Sequence, residues 1–240
     1  MSQPPRSAVI QHTPADRLLQ PAETGPNAGR IAAHIEQHIG APEFVHHELV
    51  SDLVHLDIHI IPPAPRRKFY ALVTSGMSDL AMDVPEGIAA PRFAELMLCL
   101  PPEWPLPLDT PDWAGLDERV VWPVRLLRAL ARLPHEHGTW LGFGHTIPNG
   151  DPPRPYAPNT RLCGAMLGYP VAPKPPFRQL KIDQQTTIAF FSVIPLFQQE
   201  IEHKLRHGAA ALAERLGRKG IGEVLDISRR NVCKAWWRWW

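Results

Sequence analysis

His55-x-Asp57-x-His59 sets three groups of the kind that ligate zinc at alternate positions of one short segment. On a strand such positions share a face, but at strand rise the end Cα atoms stand about 13 Å apart. One ion reaches both ends only if the strand bends or the side chains stretch toward each other. We read the segment as a polar strand face that hydrogen-bonds across the sheet, and assign no metal and no cofactor. His46-His47, His135-x-His137 and His145 are further ring donors, but nothing in the sequence fixes them beside it.

Ser75-Gly76-Met77-Ser78-Asp79 follows a strand pattern and has the outline of a nucleophile turn. It lacks the Gly-x-Ser-x-Gly spacing that exposes a serine at a strand-to-helix elbow. The expected structure is a serine- and glycine-rich turn in which Asp79 bonds backbone amides. His145, between Gly144 and Thr146, is expected to hold its loop through a backbone hydrogen bond rather than to act as a general base. No His-Glu-x-x-His and no P-loop occurs. The acidic residues form no pair that spacing can set at a glycosidase separation. No catalytic residue is assigned. A metal-dependent hydrolase or small-ligand enzyme using His55, Asp57, His59 and His145 stands as the competing reading.

The elements that must position these residues follow from periodicity. Asn27 caps a helix with Ile31, Ala32 and Ile35 at helical spacing, and Gly40 stops it. Residues 44–61 alternate, with Val50, Val54, Leu56, Ile58 and Ile60 on one face and His55, Asp57 and His59 on the other. Phe69 to Thr74 and Phe93 to Leu100 read as strands, the first pairing antiparallel with its predecessor. Pro101 to Pro111 is a loop pinned by Trp104. A helix over 122–133 begins near Pro123 and stops at Pro134, with Arg125, Arg128 and Arg132 on its solvated face. Trp140 to Ile147 is a strand in which Gly142 and Gly144 mark a bulge or a close backbone approach. Strands near 163–169, 179–182 and 187–194 precede helices near 196–207 and 209–218. The fold class is α+β, a mainly antiparallel twisted sheet flanked by helices.

Composition bounds the rest. Twenty-five basic against 24 acidic residues leave a charge of +1, which gives no electrostatic footprint for nucleic acid. Proline is 28 of 240, more than twice the usual ~5%, so short elements joined by structured turns are expected rather than a long-helix bundle. Cys99, Cys163 and Cys233 form no Cys-x-x-Cys pair, and a reducing cytoplasm is the expected location. No apolar run approaches the ~20 residues of a membrane helix. Residues 1–26, with five prolines, read as a disordered leader, 27–234 as one domain, and 235–240 as a Trp-rich tail. Four tryptophans around Arg238 in that tail suit base stacking, a membrane interface or a partner anchor; an unstructured extension is the equal alternative.

Several long segments together resemble the Suppressor of Fused (SUFU) domain family. They are Glu48-Leu-Val-Ser-Asp-Leu-Val-His-Leu-Asp-Ile-His-Ile-Ile61, Tyr70-Ala-Leu-Val-Thr-Ser-Gly-Met-Ser-Asp-Leu80, Arg92-Phe-Ala-Glu-Leu-Met-Leu-Cys-Leu-Pro101 and Trp122-Pro-Val-Arg-Leu-Leu. Thr139-Trp-Leu-Gly-Phe-Gly-His-Thr-Ile-Pro-Asn149, the passage Ile188–Phe197 and Ile227-Ser-Arg-Arg-Asn-Val-Cys-Lys234 continue it in order. Leader and tail fall outside the pattern. The resemblance implies a mixed α/β binding module of the single-domain bacterial type, not a catalyst. Animal members hold Hedgehog transcription factors by clamping an extended peptide, a role not transferred here; some bacterial members are thought to neutralise toxins as immunity proteins. The expected function is therefore non-catalytic binding of a protein, a toxin or an extended peptide segment, with no nucleic acid and no membrane span. The expected groove is bordered by His55, Asp57 and His59, by Ser78 and Asp79, and by the loop from His145 to Asn149.

Overall fold

The structure, a computed structural model, describes residues 20–21, 25–47, 50–51, 54–110, 113 and 115–234. The tail expected over 235–240 lies outside the described residues, as does the leader but for residues 20–21 and 25–26. In chain order the elements are β1 (Gln20–Pro21), α1 (Ala28–His38), β2 (Phe44–His46), β3 (Val50–Ser51), β4 (Asp57–Ile61), β5 (Tyr70–Ser75) and β6 (Phe93–Leu100). Then come α2 (Glu118–Glu136), β7 (Thr146–Pro148), β8 (Gly164–Gly168), β9 (Gln179–Lys181), β10 (Thr187–Leu196), α3 (Gln198–His207) and α4 (Ala209–Gly217).

Eight strands form one sheet in the order β2-β4-β5-β6-β10-β8-β7, with β9 beside the start of β10; β1 and β3 pair separately. Every pairing is antiparallel except β6 with β10, where Ile188 stands opposite Phe93 and Ser192 opposite Met97. A parallel pair needs a long crossover, and here α2 and β7 to β9 lie between the two strands in the chain. The fold is α+β, with a mixed sheet whose pairings are mostly antiparallel.

Both faces of the sheet are covered. On one, Trp122, Leu127 and Leu130 of α2 pack over Ile58, Ile60, Leu72, Leu96 and Leu98. On the other, Ile31 and Ile35 of α1 pack with Ile61, Val73, Met97, Cys99 and Phe190. A third cluster seats α3 and α4 through Ile201, Leu212 and Leu216 on Met166 and Leu196. This double cover explains why all five residues of β4 are buried. The polar face expected at Asp57 and His59 is therefore interior.

Four local expectations change. The alternating stretch 44–61 is not one strand: β2 folds back so that Phe44 faces Ile60 and Val45 faces His59. Helix α2 starts at Glu118, capped by Asp117, and carries both Pro123 and Pro134 inside it. Pro123 removes the N–H owed to the Arg119 carbonyl, and Asn159 Nδ2 donates to that oxygen instead at 3.1 Å. Arg128 does not lie on a fully solvated face, because its Nη2 donates to His46 Nδ1 at 3.0 Å. Only Thr146–Pro148 of the stretch 140–147 and its surroundings is strand. Gly144 (φ +77°) turns the chain there, and a Cβ on it would stand 2.8 Å from that of Ala209. That is the close approach its glycine required.

Trp104 pins the proline-rich loop as expected, donating Nε1–H to the Val120 carbonyl at 3.0 Å. Asn27 sits at the N-cap of α1 but makes no side-chain capping bond. Among the described residues no helix is long and apolar enough to cross a membrane.

Candidate functional site

Five chain segments end at one end of the sheet: the start of β4, the end of β5, the starts of β6 and β10, and the segment before β7. The end of β5 is shaped by Gly76. At φ +108° it takes a conformation that a side chain resists, and a Cβ there would lie 1.8 Å from the His55 carbonyl oxygen. The chain then forms a 3₁₀ turn over Met77–Asp79.

Glu95, fully buried on β6, holds that turn. Its Oε1 accepts the amides of Gly76 and Ser78, each at 3.0 Å, and the Ser78 hydroxyl at 2.6 Å. Its Oε2 accepts the Thr74 hydroxyl at 2.6 Å. Burial pushes the Glu95 carboxyl up to about 7 against the pull of the Ser78 and Thr74 donors. A carboxylate does bond the turn amides, but it is Glu95 and not Asp79. Ser78 is buried and spends its hydroxyl on Glu95, so it is not an exposed nucleophile.

Asp79 is different. Its Oδ1 is buried with no hydrogen-bond partner among the described residues, and burial raises the carboxyl to about 6. A Cβ on Gly25 would fall 1.7 Å from Asp79 Oδ2, so the chain entering α1 crosses directly over this carboxylate.

His55, Asp57 and His59 do not act as one set. His55 precedes β4 and donates through Nε2 to Asp57 Oδ1 at 3.0 Å. His47, from the loop after β2, donates through Nδ1 to the same oxygen at 3.0 Å. His59, two residues into β4, lies 2.9 Å from Ser75 Oγ, and burial lowers its pKa. The cross-strand hydrogen bond expected of this face is thus made by His59, while Asp57 gathers two imidazoles.

His145 and Asn149 sit on the far flank. Five strand-to-strand steps separate β4 from β7, about 24 Å along the sheet. His145 is on the same end as the β5 turn, with its ring 5.4 Å edge-on to Trp140, and burial lowers its pKa, with Lys204 adding to the effect. Asn149 is at the opposite end of β7, where its Nδ2 donates to the Arg154 carbonyl at 2.8 Å and closes a loop. His55, Asp57, Ser78, Asp79 and His145 therefore share one end of the sheet; His59 lies inside it and Asn149 away from it. The four residues of the hydrolase reading do not converge.

Between these flanks runs an open groove of about 1140 Å³, lined by Pro91, Phe93, Tyr169, Pro175, Arg178 and Phe191 among others. Tyr169 stacks on Phe143 with ring centroids 4.6 Å apart, and each ring is 49% exposed. The Arg178 guanidinium lies over the Tyr169 ring, and Val171 beside it is 75% exposed.

The sequence matches the Suppressor of fused protein (SUFU) family over residues 52–230. This chain belongs to the SUFU family. No curated protein matches it in sequence. Among solved structures it is similar to a Suppressor of Fused homologue from Neisseria gonorrhoeae, at 15% identity and a TM-score of 0.59 over 88% of this chain and 97% of that one. It is also similar to Drosophila Suppressor of Fused, at 17% identity and a TM-score of 0.57, covering 89% of this chain but 52% of the fly chain. A third similar structure is a chain of the Sufu-Fu complex, at 15% identity and a TM-score of 0.50 over 90% of this chain and 85% of that one.

In this SUFU domain the segments that carry the family likeness interlock. Tyr70–Leu80 holds the glycine turn, and the segment from Arg92 holds the Glu95 that clamps it. Ile227–Lys234 holds Arg229, whose guanidinium makes paired bonds of 2.7 and 2.6 Å to buried Glu200. Residue types and spacing alone did not single out Glu95, Glu200, Phe143 or Tyr169. Glu95 had one visible signal: a lone charge inside the apolar run of β6. Phe143 and Tyr169 had none, because an aromatic in a strand-like run reads as core.

Proposed function

We propose that this SUFU domain is a non-catalytic protein-binding module whose contact surface is the sheet end just described. The observation that carries the reading is half-exposed Tyr169, which lines the open groove and stacks on the equally exposed Phe143. Aromatic and arginine side chains standing partly free around a concave apolar surface are the usual anchors of protein interfaces. The sheet end is about 24 Å across from β4 to β7, which an extended segment of about seven residues spans. Pro91, Pro175 and Pro176 stiffen the groove walls, so less entropy is lost on docking. A chain of the Sufu-Fu complex shares this fold, which supports a protein as the partner.

The finer reading is immunity: the partner is a toxin that a bacterial, cytoplasmic domain neutralises by covering it. The test is affinity capture of the tagged chain from its own cells at two salt concentrations, beside a Phe143→Ala/Tyr169→Ala double variant. One stoichiometric protein held by the parent and lost by the variant is the expected result. Recovery of the chain alone, or a partner held equally by both, overturns the binding surface. A toxin-like partner whose activity is blocked on binding decides for immunity.

A further inference from the structure

We propose that His47, His55 and Asp57 form a binding site for one divalent transition-metal ion of the zinc type. This set differs from the alternating trio of the strand: His59 is replaced by His47, which directly follows β2 and so stands beside the start of β4 through the β2–β4 pairing. His47 Nδ1, His55 Nε2 and Asp57 Oδ1 lie within 4.8 Å of one another, the only such triplet among the described residues. The oxygen is 3.0 Å from each nitrogen. In a tetrahedral zinc site, bonds of about 2.0–2.1 Å set neighbouring donor atoms about 3.3 Å apart. Two of the three separations are already within a few tenths of an ångström of that value.

The donors select the ion class. Two imidazoles and one carboxylate suit zinc and its neighbours, whereas magnesium and calcium take oxygen donors. The surroundings fit a built site. The Asp57 and His55 side chains are 9% and 10% exposed, so two ligands are held, while His47 is 64% exposed and leaves an entry path. Three protein ligands leave a fourth position facing water on the His47 side.

A second observation points the same way. His55 Nδ1 and Asp79 Oδ1 are both buried without a partner among the described residues, and Asp79 is near enough to His55 and Asp57 to feel their charges. A cation here meets a second carboxylate behind its ligands. The opposing charge is Arg128, which also feels Asp57; its Nη2 is engaged by His46.

The experiment strips the full chain with a chelator and titrates it with Co²⁺ and then Zn²⁺ alone. The expected result is one ion per chain, a visible cobalt spectrum of low coordination number, and a zinc-dependent rise in melting temperature. His47→Ala, at an exposed position, is expected to keep the metal-free melting temperature and lose at least ten-fold in affinity. Asp57→Asn is expected to lose as much, and His59→Gln to bind as the parent does. Folded parent chain that takes up no ion at micromolar metal overturns the proposal, as does His47→Ala binding as tightly as the parent. If Asp57→Asn does not fold, His47→Ala decides.

Discussion

Glu95 Oε1 accepts both the amide and the hydroxyl of Ser78, at 3.0 and 2.6 Å, tying the turn after β5 to the neighbouring strand β6. With Thr74 and Gly76 it has four donors and no solvent. Glu95→Ala strands those donors in the interior and is expected to cost about 4 kcal/mol or more. Glu95→Gln keeps an oxygen for the amides and an amide for Thr74, so about 1–2 kcal/mol is expected. Urea midpoints at constant slope measure both.

The same carboxyl gives a pH signature. Its folded pKa of about 7 lies above the ordinary 4.5, so between those values the folded state holds a proton that the unfolded chain has released. Its contribution is complete below pH 4.5 and is lost as pH rises through 7. The stability difference between the parent and Glu95→Gln is therefore expected to shift against the parent across that window and to level off above it. The buried histidines, shifted the opposite way, are common to both proteins and cancel. A difference independent of pH would contradict the assignment.

Two glycines separate strain from collision. Gly76 and Gly87 both have positive φ, but only Gly76 faces a backbone atom, the His55 carbonyl, at collision distance. Gly87→Ala is expected to cost about 1 kcal/mol, the conformational term alone. Gly76→Ala is expected to cost at least about 3 kcal/mol or to prevent folding. Thermal unfolding of the pair checks this.

Arg229 and Glu200 form a buried bidentate pair, and Glu200 also accepts the amides of Phe197 and Val232. Arg229→Ala leaves a buried carboxylate unpaired and is expected to cost about 3–5 kcal/mol. Adding Glu200→Gln is expected to cost less than the sum of the single changes, a coupling of at least about 1 kcal/mol in a double-mutant cycle.

Asp79 is kept at a cost. Its carboxyl is raised to about 6 by burial, and Oδ1 has no partner among the described residues. The penalty is absent well below pH 4 and complete above 6. At pH 8 Asp79→Asn is expected to be more stable than the parent, by no more than about 1 kcal/mol because the side chain is only partly buried and solvent screens it. The same variant is expected to hold the captured partner less tightly, the exchange of stability for function that a site residue shows. Greater stability with unchanged capture would leave Asp79 outside the interface.

Local spacing was enough for much of the fold. The apolar runs of β5, β6 and β10, bounded by proline and glycine, are legible because strand and turn preferences act over a few residues. The SUFU likeness is legible separately, as a resemblance of residue order over several segments. Spacing failed at residues 44–61: alternation there implies a polar face, yet β2 folds back beside β4 and α1 covers that face. It failed at α2 because the proline penalty at Pro123 is offset by Asn159, thirty-six positions away.

By itself the sequence determined residue types, the strand and turn signals, and the closeness of His55 to Asp57 and of Ser78 to Asp79 in the chain. Only the tertiary structure decided that His47 and not His59 joins Asp57, that Glu95 and not Asp79 holds the turn, and that Phe143 meets Tyr169 on the surface. The physical reason is the same in each case. A side chain's direction follows from its own backbone, but its partner is set by which strands become neighbours, and the central β6–β10 pair joins residues about ninety-five apart.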